Sequence, residues 1–439
     1  MRDLPRGLAA AALLLLAPVP ALSQPAAAPS FAEVMADPGN PDLALRYARN
    51  AAAQGDSRAA IAALERVLRI DPGLDNIRLE IASIHLATGS SDLAALYAQQ
   101  ALASPSIPPE VAARARQILA QAERGAARSL LEVNLSAGLR WDSNANGVTP
   151  AGTVPIFVPA LGAFLPAQLQ ASGESDWSSV LGARIAHRYD LELQREGAWE
   201  TNASLYDQRF ARIPRQYDLG IVSVDTGPRI GVAEIGEAGT LALRPFATAT
   251  WIGYADRTYG WLYGAGLTAE LRLPPRWTVE ATALGRFGNY ANSDFRPRAR
   301  DYTGAEAVLS LGASYALSEA TRLSASVSYI EGDARQDFYA RSGFGGLVAV
   351  QSTLRLGAYQ FGATARAGVR EMRYDAPDPV LNPFEKRQDT RWEAGAALIL
   401  PVTARVAVTL EYDWFDQRSN YRIYRFDNHA VMLGLRLSL

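Results

Sequence analysis

The amino-acid sequence predicts a short α-helical domain followed by an antiparallel transmembrane β-barrel of ~14 strands. Three observations predict it. From about Leu130 to the end, large apolar residues alternate with small or polar ones; the links between alternating segments are by turns short and long; and a secretory leader stands in front. The last stretch shows the alternation most plainly. Val431, Leu433, Leu435, Leu437 and Leu439 fall on one face of a strand, and Met432, Gly434, Arg436 and Ser438 on the other. One such strand also fits a soluble sandwich, so the recurrence of the pattern and the leader decide.

A chain of 439 residues has room for two domains, one of them large. Its net charge of −2 argues against a nucleic-acid partner. With no cysteine, disulfides, thiolate metal sites and a cysteine nucleophile are excluded. Beyond residue 25 no run of 18 apolar residues occurs, so no membrane helix is expected in the mature chain. Barrels escape that test, because polar residues dilute their lipid-facing ones. No cofactor is called for.

Residues 1–23 read as a signal peptide: Arg2 and Arg6 form a basic start, residues 8–17 an apolar core, and Ala21-Leu22-Ser23 a small-x-small cleavage site before Gln24. Residues 24–40, rich in Ala and Pro, are expected to be a flexible lead-in. Residues 41–125 read as helical and repetitive. Gly55 and Gly89 are 34 residues apart, as are Ala60 and Ala94, and Val67 and Ala101. This period and these positions resemble the tetratricopeptide repeat. Two repeats fit, at about 41–74 and 75–108, with a capping helix over 109–124. Such a domain is either a spacer or a concave surface that holds a polypeptide.

The barrel is expected over 130–439. After a first strand ending at Trp141, further strands are expected at about 176–190, 199–211, 217–232, 240–256, 259–273, 277–290, 302–317, 321–333, 344–357, 361–374, 390–401, 405–416 and 428–439. Long links at 145–174, 292–300, 332–343, 376–389 and 417–427 alternate with short ones at 194–197, 274–276, 318–320, 357–360 and 401–404. Outer-membrane barrels alternate periplasmic turns and outer loops in this way. The link at 256–258 is shorter than its outer position predicts. Trp141, Trp177, Trp251, Trp261, Trp277, Trp392 and Trp414, with Tyr254, Tyr290, Tyr329 and Tyr412, cluster near strand ends, as interfacial girdles require.

The face opposite the aliphatic one carries charge of both signs. Arg140, Arg184, Arg188, Arg272, Arg286, Arg366, Arg370 and Arg436 stand against Glu132, Glu270, Glu280, Glu306, Glu393, Glu411 and Asp413. A charge facing lipid at mid-depth costs ~2–4 kcal/mol, so these side chains are expected to point into a lumen. There they either brace the wall as an ion-pair network or line an aqueous passage. Catalysis finds little footing. His85, His187 and His429 are the three histidines, and no HExxH pair, GxSxG elbow or phosphate-binding glycine loop accompanies them. A Ser143–His187 pair is the one nucleophile–base arrangement to check. No outer loop shows a calcium ladder of the Asp-x-Asn-x-Asp kind.

Gly434-x-x-Leu437-x-Leu439 resembles the C-terminal signal read by the barrel-insertion machinery, with leucine in place of the usual final aromatic. The first strand runs into Trp141-Asp142-Ser143-Asn144-Ala145-Asn146, where Asp and Asn suit a turn whose backbone groups their side chains satisfy. With these residues the architecture resembles the surface lipoprotein assembly modifier family, in which an Asp-Ser-Asn signature opens the barrel. The resemblance implies an outer-membrane protein with a periplasmic N-terminal domain. It also implies assistance in moving lipoproteins or other polypeptides to the cell surface, with cargo met by the repeat domain, lipid by the barrel wall, and no enzymatic role. The rival expectations are an exopolysaccharide export barrel and a general diffusion porin.

Overall fold

The computed structural model describes residues 29–105, 107–169, 172–193, 196–236, 239–273, 275–357 and 359–439. The expected signal peptide and residues 24–28 of the lead-in lie outside them. The chain forms two compact units, 1–126 and 127–439.

The first unit is helical: α1 (Phe31–Ala36), α2 (Pro41–Ala53), α3 (Ser57–Ile70), α4 (Asp75–Ala87), α5 (Ser91–Leu102) and α6 (Pro109–Ala126). Starts of α2, α4 and α6 are spaced by 34 residues, as are those of α3 and α5. Gly55 and Gly89 end α2 and α4 at φ +91° and +79°, in the left-handed region where a side chain is strained. The helices approach closely because the contacting residues are small: Ala44, Ala48, Ala60, Ala94, Ala98 and Ala115 are buried around Leu64, Val67, Ile77 and Leu79. Glu80 on α4 bridges Arg49 of α2 and Arg114 of α6 at 3.0 and 3.1 Å. The lead-in departs from expectation. Its α1 is nucleated by a capping box, in which the Ser30 hydroxyl accepts from Glu33 N–H and the Glu33 carboxylate accepts from Ser30 N–H.

The second unit is a closed antiparallel barrel of fourteen strands. In chain order they are β1 (Ser129–Asp142), β4 (Asp176–Asp190), β5 (Gly197–Phe210), β6 (Leu219–Ile235), β7 (Gly239–Tyr254), β8 (Arg257–Leu273), β9 (Trp277–Tyr290), β10 (Gly304–Ala316), β11 (Thr321–Gly332), β12 (Arg341–Leu356), β13 (Tyr359–Asp378), β14 (Asn382–Pro401), β15 (Val406–Ser419) and β16 (Phe426–Ser438). The hairpin β2 (Thr153–Val158) and β3 (Ala163–Gln168) stands apart, in the link after β1. Each strand pairs with its neighbours in sequence, and β1 pairs with β16 to close the wall. Closure removes every sheet edge, which a wall in hydrocarbon requires.

Strand pairing carries one side of the sheet around the whole circle. Leu131, Leu135, Leu139, Leu181, Leu267, Leu311, Val327, Val348, Leu398, Leu433 and Leu435 share the outward face and are exposed there, forming the apolar belt of an outer-membrane barrel. All eight tryptophans, Trp199 included, fall on that face, seven near strand ends and Trp392 midway along the extended β14. Tyr254 and Tyr290, expected in the same girdles, are on the inner face: Tyr254 pairs with Leu219 and Tyr290 with Gly260.

Two links differ from expectation. The stretch 376–389, expected as a loop, continues β13 and β14 as a protruding hairpin; its prolines are accommodated where the register shifts at Pro377. The short link at 255–256 is a true two-residue turn, with Ala255 and Asp256 both at positive φ (52° and 61°), as the twist of a tight hairpin demands.

Candidate functional site

The barrel interior is built by every second residue of fourteen strands. Arg140, Arg184, Glu270, Arg272, Glu280, Arg366, Glu411 and Arg436 all lie on this inner face by register. Side chains two strands apart converge only on the concave side of a wall, and several do. Arg366 of β13 meets Asp413 of β15 at 2.5 Å, Arg229 of β6 meets Glu270 of β8 at 2.9 Å, and Arg341 of β12 meets Glu306 of β10 at 3.2 Å. Arg272 adds to Glu270 at 2.5 Å, and Arg286 pairs with Glu306. Arg184, Glu280, Glu411 and Arg436 make no ion pair among the described residues. They sit toward the end of short turns among serines, threonines and glycines such as Ser136, Gly182, Thr282, Gly312 and Thr364. A cavity of about 290 Å³ opens there between Arg322, Arg366, Glu411 and Asp413.

The outer end is filled instead by tyrosines. Tyr254 lies 5.3 Å from Tyr259, Tyr259 5.1 Å from Tyr290, Tyr290 6.3 Å from Tyr302, and Tyr302 stacks on Tyr339 at 4.0 Å. Arg296 lies over Tyr254 at 4.2 Å, and Arg387, bonded to Asp389 at 3.0 Å, lies between Tyr374 and Tyr424. Burial, then neighbouring Tyr339, pushes the Tyr302 phenol well above its ordinary range; Tyr424 is pushed up to about 12, again mainly by burial. Tyr302 belongs to the link between β9 and β10, and Tyr424 to that between β15 and β16. These strands stand six apart in a fourteen-strand wall, yet Tyr424 is close enough to disfavour ionisation of Tyr302. Aromatic contacts between the β9–β10 and β11–β12 links, and between β14 and the β15–β16 link, narrow the mouth above a charged interior.

The Trp141–Asn146 segment locks the seam between first and last strands. Trp141 faces outward, opposite Trp177 and Val431. Asp142 is buried on the inner face, where its carboxylate accepts from Asn428 Nδ2 at 2.7 Å and from Arg140 Nε at 3.0 Å. Asn428 Oδ1 in turn accepts from Asn144 N–H at 2.9 Å and from the Ser143 hydroxyl at 3.2 Å, while Ser143 Oγ accepts from His429 N–H at 2.8 Å. Gln208 donates to Ser178 Oγ at 3.0 Å and reaches Asp142 at 3.5 Å, which carries the lock to β5. Asn144 and Asn146 hold the following link, by bonds to Val148 O and Ser172 O at 2.9 and 2.8 Å. Asn428 and Gln208 were not singled out by sequence reasoning; neither lies in a motif. Of the C-terminal residues, Gly434 faces inward against Gly138, whereas Leu437 and Leu439 fall on the outward side.

Above the seam the link after β1 carries no charge from Ser143 to Gly173. Its hairpin β2–β3 leans toward the protrusion of β13 and β14, with Phe157 N–H donating to Val380 O at 2.9 Å and Phe157 ring 5.2 Å from Phe384. Exposed Leu161, Phe164, Leu165, Val380 and Phe384 form an apolar outer patch beside a cleft of about 380 Å³.

Ser143 and His187 are not brought together. Ser143 ends β1 at the outer mouth, whereas His187 pairs with Leu131 at the other end and bonds Ser129 Oγ at 2.9 Å. Among the described residues no cluster of three potential metal ligands occurs.

Residues 224–437, from within β6 through β16, match the sequence model of the family described as surface lipoprotein assembly modifier. No curated protein matches the chain. Solved barrels similar to it include OprB of Pseudomonas putida (8% identity, 71% of this chain and 94% of that one, TM-score 0.35). The outer membrane channel DcaP of Acinetobacter baumannii is similar at 8% identity, over 72% and 98% of the two chains, with TM-score 0.35. A bacterial polysaccharide outer membrane secretin is similar at 10% identity, over 71% and 99%, with TM-score 0.34.

Proposed function

We propose, proceeding from that family's sequence across most of the barrel, that this outer-membrane protein assists the transfer of lipoproteins to the cell surface. The match over residues 224–437 is the observation that carries the reading. The interior fits it: toward the short turns it carries charges of which Arg184, Glu280, Glu411 and Arg436 make no ion pair among the described residues, and tyrosine-bearing links narrow its outer end. On this reading the helical unit, joined to β1 at the short-turn end, works in the periplasm and meets the passenger first. The role is one of transport and assembly, without bond-making chemistry.

Deleting the gene tests it. A lipoprotein passenger should become inaccessible to antibody or added protease on intact cells while its total amount is retained. Unchanged accessibility would overturn the reading.

A further inference from the structure

We infer that the β1–β16 seam is the slot through which the acyl chains of a lipoprotein pass from the lumen side of the wall into lipid. The inference rests on the function proposed above. A lipidated polypeptide is an amphiphile, and no single compartment of this barrel suits both its parts. The inner face carries Arg140, Arg184, Glu280, Glu411 and Arg436, which acyl chains avoid. The outward belt is hydrocarbon-like, which a polar chain avoids. Such a molecule is satisfied only at a boundary between the two, with its chain in the lumen and its acyl groups through the wall. A continuous ladder has no such boundary, so one seam must part.

The structure singles out one seam. β1 and β16 are registered over nine positions, Asn134↔Ser438 to Asp142↔Ala430, extended by one reciprocal backbone pair, Val133–Leu439. Every other pair of neighbouring barrel strands is registered over at least eleven, β10–β11 being the next shortest. β1 runs on to Ser129 and pairs with β4 along its whole length, whereas its register with β16 covers only Asn134 to Asp142. At mid-seam Gly138 faces Gly434, so neither strand carries an inner Cβ there. A Cβ on Gly138 would come within 2.9 Å of Leu433 O and 3.3 Å of Met432 Cγ, so the backbones are close and only the flexible Met432 side chain leans across them. Among the described residues, polar side chains cross the seam toward its ends: Ser438 to Asn134 at 2.7 Å at one, and at the other the Asp142–Asn428 lock and Arg140, which reaches over β16 to Asp413 of β15 at 3.7 Å. The weaker, periplasmic end is therefore free to open while the outer end holds as a hinge.

The chain has no cysteine, so a cross-link tests this directly. Ser136→Cys with Arg436→Cys places two thiols directly opposite across the seam, and Ala137→Cys with Leu181→Cys places them across β1–β4. Both full-length variants are expressed in the deletion strain with a lipoprotein passenger, and display on intact cells is read before and after reduction. The seam-locked barrel should reach the outer membrane, lose passenger display when oxidised and regain it on reduction; the β1–β4 lock should display throughout. Display by the oxidised seam lock would overturn the inference, and so would equal loss in both variants, since any restraint would then suffice. Failure of the function itself is read separately, as display in the deletion strain with no copy of the gene.

Discussion

Asp142, which ends the first strand of the barrel, accepts a 2.7 Å hydrogen bond from the side-chain amide of Asn428 on the last, across 286 residues of chain. Both groups are buried, so each depends on the other for the partner that water would supply. Asn428→Ala leaves the carboxylate with Arg140 and the longer reach of Gln208, and strips acceptors from Ser143 and Asn144. The expected cost is about 1–3 kcal/mol. It should appear as a lower denaturant midpoint for the detergent-folded barrel, with Gln208→Ala costing less because its reach to Asp142 is 3.5 Å. Equal midpoints for Asn428→Ala and the parent would show that the lock adds no stability.

The tyrosine cluster across the outer mouth makes a prediction for conductance. Tyr302 stacks on Tyr339 at 4.0 Å, and Arg387 lies on Tyr424. The first joins the β9–β10 and β11–β12 links and the second joins β14 to the β15–β16 link, which narrows the mouth from both sides, so the parent protein should pass little current in a planar bilayer. Tyr302→Ala with Tyr424→Ala removes both joining rings without touching the wall, and single-channel conductance should rise. A parent that already conducts as a wide pore would refute a closed mouth.

What the chain order revealed, and what it hid, follows from how far each cause acts. Hydrocarbon imposes a period of two on every strand, so Leu131 to Trp141 and Val431 to Leu439 declare themselves locally. Register turns that local alternation into one inner face, which is why Arg184 and Arg436 were legible as lumen-facing without their neighbours being known. Asn428 was not legible, because its role exists only once the wall closes and brings it to Asp142. Tyr254 and Tyr290 were misplaced because nearness to a strand end does not set the face: each lies an odd number of residues from an outward tryptophan of its own strand, Trp251 and Trp277, so alternation turns it inward. The β2–β3 hairpin lay inside the long link expected over 145–174; its Pro155 and Pro166 lie opposite each other in a two-stranded ribbon, where a missing N–H faces outward at no cost.

In the helical unit, Gly55 and Gly89 hold φ +91° and +79° with open space around them. Alanine at either position therefore meets no clash and pays only for its conformation, about 1–2 kcal/mol. Gly55→Ala and Gly89→Ala should each lower the helical transition followed by circular dichroism at the helix band, and leave the barrel transition where it was. A change confined to the barrel would contradict the division into two units.

Histidine 85 gives the helical unit a pH dependence whose sign is set by burial. His85 is buried against Tyr97, ring centroids 5.7 Å apart, and Tyr97 donates to Glu65 at 2.8 Å. Burial lowers the His85 pKa below its ordinary 6.5, with Glu65 opposing. The folded state therefore binds fewer protons than the unfolded one wherever the unfolded imidazole is charged. Stability is full above pH 6.5 and is lost as pH falls through that value toward the depressed folded pKa. Within that window the loss approaches but does not exceed about 1.4 kcal/mol per pH unit. Melting the full-length protein at pH 7.5, 6.5 and 5.5 should show the helical transition falling, and His85→Phe, which keeps a ring beside Tyr97 but binds no proton, should flatten the dependence. If the variant falls as steeply as the parent, the proton is taken up elsewhere in the unit.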